Sequence, residues 1–266
     1  MENKSTVLKI ITAVSFLVMI IMNILAIAIP INQMTTGEIS GLYPNLFTPS
    51  SYTFSVWGLI YLFLALFTIY QLDLFKKNLD LIKPEVYNQV RILFIISSLL
   101  NAGWIIAWHY DYIALSLMFI FIILMCLNII CKALSTEELT NREKLLIRLP
   151  FSIYFGWITV ATIANIMILL VSIRWNGLEI FEAIKIMIIL ALVFCIVTYS
   201  TFKNKDIAYC FTVIWAYVGI LVKHTSETEL NGQYPQIILT VIVCIVLFVV
   251  EAGYLYIHLL KKKHAK

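Results

Sequence analysis

Eight long apolar stretches constrain this chain more than any other feature of its sequence. They cover about residues 7–29, 53–72, 91–109, 112–132, 149–171, 180–202, 206–222 and 236–259. A helix needs roughly 20 apolar residues to cross the hydrocarbon of a bilayer, because each residue spans about 1.5 Å of a layer about 30 Å thick. A transmembrane barrel would show short alternating segments instead. The sequence therefore predicts an all-α polytopic membrane protein with eight transmembrane helices.

Composition and the positions of proline agree with this prediction. The 266-residue chain is 62% hydrophobic and 13% charged, whereas a water-soluble domain carries about 25% charged residues. Proline is disfavoured inside helices, and all six prolines lie at or between the predicted boundaries of the spans. The five cysteines all lie within spans, which is not the pattern of a disulfide framework or of a metal site.

Lysine and arginine are distributed unevenly between the two sides of the predicted bundle. If the N-terminus lies in the cytoplasm, 16 of the 19 Lys and Arg residues fall on the cytoplasmic side, Arg174 and Lys223 fall outside, and Lys185 lies within the sixth span. Cytoplasmic segments of membrane proteins are enriched in these residues. We therefore expect a multi-pass protein of the cell (cytoplasmic) membrane with both termini in the cytoplasm. No basic and aromatic patch indicates nucleic acid.

The first span also has some features of a secretory signal peptide. The N-terminus is basic, and Ala-Ile-Ala at residues 26–28 resembles a cleavage site. The apolar run is long for a signal peptide, however, and its retention keeps the charge alternation intact. We expect the span to be retained.

Two connecting segments have a pattern of their own. The external segment 30–52 combines turn residues at Gly37, Gly41, Pro44 and Pro49 with apolar residues, among them Leu46 and Phe47. Such a loop can pack as a lid over the helices, and the alternative is that it rests on the lipid headgroups. On the cytoplasmic side, residues 136–144 are predicted to form a short surface helix.

Three predicted spans carry aromatic and polar residues at a spacing of three or four residues, which places each set on one face of its helix. The sets are Thr53, Trp57 and Tyr61 in the second span, Asn101, Trp104 and Trp108 in the third, and Tyr154, Trp157, Ala161 and Asn165 in the fifth. A belt of aromatic residues at the interface explains Trp57 and Trp108. It explains Trp157 poorly, since this residue lies near the middle of its span.

The two asparagines leave a choice open. Their amides cost free energy in hydrocarbon unless they find partners. Hydrogen bonds between helices would satisfy them in a packed bundle. A pocket lined by aromatic rings and amides would instead suit a flat, largely apolar ligand.

Charged residues inside the spans are further candidates. Glu251 lies well inside the eighth span, where a carboxylate is a candidate functional group, either as a buried neutral acid or in proton coupling. Lys185 lies nearer the outer end of the sixth span, and its side chain is expected to extend to the interface. His109 and Asp111, between the third and fourth spans, are expected to be exposed to solvent. No catalytic set and no metal cluster is predicted.

The aromatic motifs resemble those of the TspO/MBR family, the tryptophan-rich sensory proteins related to the translocator protein, over about residues 7–172. The family's second-helix motif Val-Trp-x-x-x-Tyr corresponds to Val56, Trp57 and Tyr61, although Ser55 stands where the family has proline. The third-helix motif Leu-Asn-x-x-Trp corresponds to residues 100–104. The fifth-helix pattern has its counterparts in Pro150, Tyr154, Trp157, Ala161, Thr162 and Asn165.

The resemblance implies a five-helix bundle in residues 1–172, followed in residues 173–266 by three helices without a counterpart in that family. It implies a receptor or sensor that holds a flat apolar ligand, of the tetrapyrrole (porphyrin or haem type) or sterol class, between the second, third and fifth helices. No further cofactor is required. The expected ligand-binding residues are Trp57, Tyr61, Asn101, Trp104, Trp108, Tyr154, Trp157, Ala161 and Asn165.

Two other functions are left open by the sequence. One is a transporter of a small molecule or an ion, with Glu251 as the coupling carboxylate. The other is a membrane enzyme that acts on a tetrapyrrole or a lipid. The expected partners are the lipid bilayer and a hydrophobic small molecule, and a homodimer is left open.

Overall fold

The computed structural model describes residues 2–29, 31–73, 81–175 and 182–264, and within these ranges the chain is helical and contains no β-strand. The helices are α1 (Glu2–Ala28), α2 (Thr36–Gly41), α3 (Val56–Gln71), α4 (Pro84–His109), α5 (Ile113–Ser135), α6 (Asn141–Glu143), α7 (Leu149–Ser172), α8 (Glu182–Asn204), α9 (Ile207–Thr225) and α10 (Pro235–His264). Short 3-10 turns lie at Ile31–Gln33 and Ser51–Ser55, and a π-helical turn at Lys144–Arg148 joins α6 to α7.

Eight helical segments are long and apolar enough to cross a membrane, which confirms the predicted fold class. The third and fifth of them begin earlier than predicted, at Pro84 and Asn141 rather than at residues 91 and 149. Their first turns are polar, so hydropathy does not detect them. Local signals favour helix there nevertheless, because proline suits the first turn of α4 and a capping box precedes Asn141.

The surface helix predicted for residues 136–144 is wrong in its first part. Residues 136–140 are not helical, and the helix starts only at Asn141. Glu143 is fully buried rather than on the surface. One of its carboxylate oxygens accepts the backbone N–H groups of Leu81 and Ile82 at 3.0 and 2.9 Å, and the other accepts that of Thr140 at 2.7 Å. The Glu143 carboxylate therefore joins the segment before α4 to the start of α6.

Helix α7 lies at the centre of the bundle. It packs against α3, α5 and α9, while α4 packs against α1 and α5, and α10 packs against α8 and α9. All residues from Pro150 to Val160 are buried. One apolar core contains residues of both predicted parts, 1–172 and 173–266. The division of the chain into these two parts stays a prediction.

The interface between α7 and α9 is closest at Gly156. A Cβ atom at this position would lie 2.7 Å from the carbonyl oxygen of Tyr209 and 2.8 Å from Cβ of Thr212, so the close approach requires glycine. In the same interface the hydroxyl of Ser152 donates to the Asp206 carboxylate at 2.5 Å. Asp206 also caps α9 by accepting the backbone N–H of Tyr209 at 3.1 Å. The C-terminal helices are thus joined to α7 by close backbone packing and by buried polar contacts.

The segment between α1 and α3, which the sequence predicts to be external, packs over the helices, so it forms a lid rather than a loop resting on headgroups. We call residues 31–55 the lid. Phe47 is fully buried. On the side of α4 and α5, the indole N–H of Trp108 donates to the carbonyl of Thr36 at 3.1 Å, and the hydroxyl of Tyr43 donates to Asp111. Partial burial, and then the bond to Asp111, raise the pKa of Tyr43 to about 12, so this hydroxyl keeps its proton.

The other side of the lid is held by α9 and by the turn that follows it. The ammonium group of Lys223 donates to the carbonyls of Asn45 and Thr48, each at 3.0 Å. The backbone N–H of Ser50 donates to the carbonyl of Gly219 at 3.1 Å, and its hydroxyl donates to Glu229. Helix α9 and the turn that follows it therefore hold the lid directly.

The predicted exposure of the turn between α4 and α5 to solvent is wrong for His109 and right for Asp111. Asp111 is exposed, whereas His109 is only 2% exposed. Its Nδ1 lies 2.8 Å from the carbonyl oxygen of Ile105, and its own carbonyl accepts the side-chain amide of Asn32 at 3.0 Å. Asn32 of the lid thus bonds to this turn, and no pattern in the sequence indicates that contact.

Candidate functional site: an aromatic cavity beneath the lid

Aromatic side chains from α3, α4 and α7 meet around Trp57. Its ring centroid lies 5.3 Å from that of Tyr61, 6.3 Å from Trp104, 6.0 Å from Tyr154 and 6.1 Å from Trp157. The three tryptophans are buried. The aromatic faces identified in the sequence therefore turn toward one another inside the bundle rather than toward lipid.

A small cavity of about 30 Å³ lies between this aromatic cluster and the lid. Its lining consists of Ser40, Pro49, Phe54, Trp57, Trp104, Trp108, Trp157, Val160, Ala161, Ala164, Asn165 and Ile168. Six of the residues expected to bind ligand are in this set. Tyr61, Asn101 and Tyr154 are not, and they lie in a separate polar network. A cavity of this size holds about one water molecule.

Three polar atoms of the cavity lining have no hydrogen-bond partner among the described residues. They are the hydroxyl of Ser40 and the indole nitrogens of Trp104 and Trp157. The three residues are 6%, 5% and 2% exposed, so solvent does not satisfy these groups. Buried polar groups are nearly always paired, and an unpaired one costs about 1–3 kcal/mol. Two N–H donors and one hydroxyl of residues that line the cavity are therefore left without a hydrogen-bond partner in the part of the chain that the structure describes.

A buried polar network joins α1, α3, α4 and α7 next to the aromatic cluster. The side-chain amide of Asn23 donates to the carbonyl oxygen of the Asn101 side chain at 2.7 Å, and the Asn101 amide donates to the hydroxyl of Tyr154 at 3.1 Å. The hydroxyl of Tyr61 donates to the side-chain oxygen of Asn23 at 2.5 Å. Asn101 thus has the hydrogen bonds between helices that the packing alternative required.

Asn165 makes a hydrogen bond between helices and also lines the cavity. Its amide donates to the hydroxyl of Ser116 on α5 at 3.2 Å. Ala161, one turn earlier on α7, lines the cavity as well and leaves space there because its side chain is small.

Sequence reasoning missed several residues of this region. Asn23 could have been found as a polar residue in a uniformly apolar span, where an amide needs a partner. Ser40, Pro49 and Phe54 belong to the lid, and no periodicity marks which lid residues point inward. Phe54 packs edge-on against Trp157, with ring centroids 5.6 Å apart.

The two charged residues predicted inside spans lie outside the cavity lining. Glu251 is 7% exposed, and one of its carboxylate oxygens accepts the hydroxyl of Thr198 at 2.8 Å. The ammonium group of Lys185 lies 5.7 Å from the ring centroid of Trp175, a geometry that allows a cation–π interaction. No group of three or more His, Cys, Asp or Glu in the described parts of the chain is arranged to hold a metal ion.

Comparison with known proteins identifies a family for this chain. The family model described as TSPO-like protein matches residues 9–254. The match extends beyond residues 7–172, where the motifs lie, and reaches into α10. A search of curated proteins and a search of solved structures each gave no match.

Proposed function

The chain belongs to the TSPO-like protein family, and on this premise we propose that it is a membrane receptor or sensor for a flat, largely apolar ligand of the tetrapyrrole or sterol class. The ligand binds in the aromatic cavity beneath the lid. The observation that carries this proposal is that Ser40, Trp104 and Trp157 line a cavity of almost wholly apolar surface and each holds a buried polar atom without a partner in the described ranges. Ring faces supply contact area, and a few polar groups fix orientation.

The ligand of this site carries an oxygen that accepts hydrogen bonds. The indole nitrogens of Trp104 and Trp157 can only donate, so a carboxylate, carbonyl or hydroxyl oxygen is their complement. A propionate of a porphyrin and the hydroxyl or ketone of a sterol both meet this requirement.

Binding requires the cavity to open. Pockets for ligands of drug size have volumes of about 300–1,000 Å³, whereas this cavity has about 30 Å³. The structure thus corresponds to a closed state of the proposed receptor. In the open state the lid moves away and Trp57 separates from the rings of Trp104 and Trp157. Ligand binding is therefore coupled to the position of the lid, which gives a sensor its signal.

Tryptophan emission of the detergent-solubilised protein tests the proposal, with protoporphyrin IX as the quenching ligand and cholesterol as a competitor. We expect quenching at micromolar porphyrin. Trp157→Phe keeps a ring but removes the N–H, so we expect about tenfold weaker binding, the equivalent of one hydrogen bond of about 1.4 kcal/mol. The same change removes an unpartnered buried donor but also part of a buried ring, so we expect a small fall in the melting temperature of a protein that still folds.

The matched control is Trp175→Phe, because Trp175 is exposed and lies outside the cavity lining. This variant should bind like the wild type. Failure of both ligands to bind at micromolar concentration would reject the receptor. Equal affinity of Trp157→Phe and the wild type would reject the cavity as the site. The transporter alternative stays a prediction that rests on Glu251.

A further inference from the structure

A groove of about 660 Å³ opens between the starts of α7 and α9 and the end of α10. It lies at the end of the bundle where most of the cationic residues are found. Lys144, Arg148 and Lys205 contribute positive charge to its lining. Its apolar lining consists of Leu149, Ile207, Ala208, Leu259 and Leu260, with Tyr256 beside them.

The positive charge of this groove is not neutralised by neighbouring acids. Lys144 and Lys205 are exposed, and no carboxylate of the described chain pairs with either ammonium group. Arg148 donates to the backbone carbonyls of Asn204 and Lys205 at 2.5 and 3.0 Å, which leaves its charge uncompensated. Asp206, the acidic residue of the lining, is buried and already bonded to Ser152 and to the start of α9. The groove therefore favours an anion.

A second groove of about 480 Å³ continues from the first along α7 and α9. Leu149 and Ala208 belong to both linings, so the two grooves meet at these residues. The remaining lining of the second groove is mostly apolar and comprises Ser55, Val56, Leu59, Ile153, Phe211, Thr212 and Trp215. Trp215 lies eight residues after Ile207, the first residue of α9, which corresponds to about 12 Å of helix. This length is a little under half the thickness of a bilayer core.

We propose that the two grooves form one binding site for an anionic phospholipid. Its phosphate lies between Lys144 and Lys205, and one acyl chain follows the apolar groove past Ala208 toward Trp215. Basic pockets between transmembrane helices on the cytoplasmic side are suited to anionic headgroups. The length of the apolar groove matches a chain that approaches the bilayer midplane. This site is separate from the aromatic cavity and does not depend on the function proposed for it.

Native mass spectrometry of the purified protein tests the site by comparing phosphatidylglycerol with phosphatidylcholine of identical acyl chains. We expect the wild type to retain phosphatidylglycerol preferentially. Each lysine near a headgroup contributes about 1 kcal/mol, so Lys144→Gln and Lys205→Gln should each weaken phosphatidylglycerol binding about fivefold. The control is Lys83→Gln, on the same side of the bundle but outside the groove, where Lys83 pairs with Glu137 at 3.1 Å. It should leave the lipid preference unchanged.

A second variant addresses the acyl chain. Ala208→Phe places a ring where the two grooves meet and should weaken the binding of both lipids, whereas the lysine variants act on phosphatidylglycerol alone. Both lysines are exposed, so the melting temperature of their variants without added lipid should equal that of the wild type.

Three results would overturn the proposal. One is equal retention of both lipids by the wild type, and another is unchanged phosphatidylglycerol binding in the double lysine variant. The third concerns the source of the phosphate. If glycerol 3-phosphate competes at the same concentration as the intact lipid, the site binds a free phosphate ester and the apolar groove plays no part.

Discussion

Some residues of the aromatic faces bond between helices and others line the cavity, and the amide of Asn101 is an example of the first kind. It bonds to Asn23 of α1 and to Tyr154 of α7, so it contributes to bundle stability and does not line the cavity. Trp157, one turn further along α7 from Tyr154, lines the cavity and has an indole nitrogen that lacks a partner in the described chain. Neighbouring positions of one face of α7 thus differ: Tyr154 belongs to the polar network and Trp157 lines the cavity.

A double-mutant cycle measures the contact between Asn23 and Asn101. Each of Asn23→Ala and Asn101→Ala should lower the melting temperature in detergent, because the remaining partner loses a buried hydrogen bond. Hydrogen bonds between transmembrane helices average about 0.6 kcal/mol in such cycles, and we expect a coupling of this order. The control pair is Asn23 and Asn165, which belong to different networks, so their effects should add. Additive effects for Asn23 and Asn101 would contradict the network.

The helical repeat predicted a common face for the aromatic residues of each helix, and the family resemblance implied that the faces of Trp57, Trp104 and Trp157 turn toward one another. The sequence could not identify Asn23 as the partner of Asn101. That pairing depends on how α1 packs against α4, which no local pattern encodes. Ser40 was missed because the sequence analysis did not predict α2, the short helix of the lid on which this residue lies.

At the scale of elements, the contact between α9 and the end of the lid controls how firmly the cavity is closed. A Cβ atom at Gly219 would lie 2.1 Å from Oγ1 of Thr53, which is far inside van der Waals contact. Lys223 and the backbone of Gly219 bond to the lid within the same region. A side chain at position 219 must therefore displace the lid or α9.

We expect Gly219→Ala to loosen the lid, and hydrogen exchange of residues 39–50 measures this. Exchange there should accelerate relative to the wild type, while α4 and α5 remain protected. Gly58→Ala is the matched control, since a Cβ atom at Gly58 meets no atom within 4 Å. Alanine is favoured over glycine in helices by about 1 kcal/mol, so this control should be neutral or stabilising. Equal exchange in both variants would show that the α9 contact does not hold the lid.

The prediction of elements succeeded where it relied on long apolar runs and failed where polar residues continue a helix. The eight spans were found because about 20 apolar residues have few alternatives to a membrane helix. The early start of the third and fifth spans was not found, because capping at Thr140 and proline at position 84 act through the backbone rather than through hydropathy.

At the scale of the whole molecule, the count of spans and the distribution of charge both agree with the predicted orientation, in which the two termini lie in the cytoplasm. An even number of crossings places both termini on one side of the membrane, and most Lys and Arg residues lie on that side. Whether two copies associate stays a prediction. The proposed cytoplasmic location of the termini also places the basic groove at Lys144 and Lys205 against the cytoplasmic leaflet.

Reporter fusions test this orientation. A fluorescent protein fused after Lys266 should be fluorescent in bacterial cells, and alkaline phosphatase at the same position should be inactive, because it matures only outside the cytoplasm. Alkaline phosphatase inserted at the turn near Asn231 provides the internal control and should be active. The reverse pattern would place the termini outside and assign the basic groove to the external leaflet.

The bonds from the lid to the C-terminal region have a consequence for biosynthesis. Ser50 and Glu229 are separated by 179 positions in the chain, so a ribosome completes the rings of α3, α4 and α7 well before it makes the residues that hold their cover. Until α9 is inserted, the lid of the nascent protein is held over the aromatic rings by its bonds to Trp108, His109 and Asp111 and lacks those to α9. We expect a chain truncated after α7 to aggregate more readily and to be degraded faster than the full-length protein.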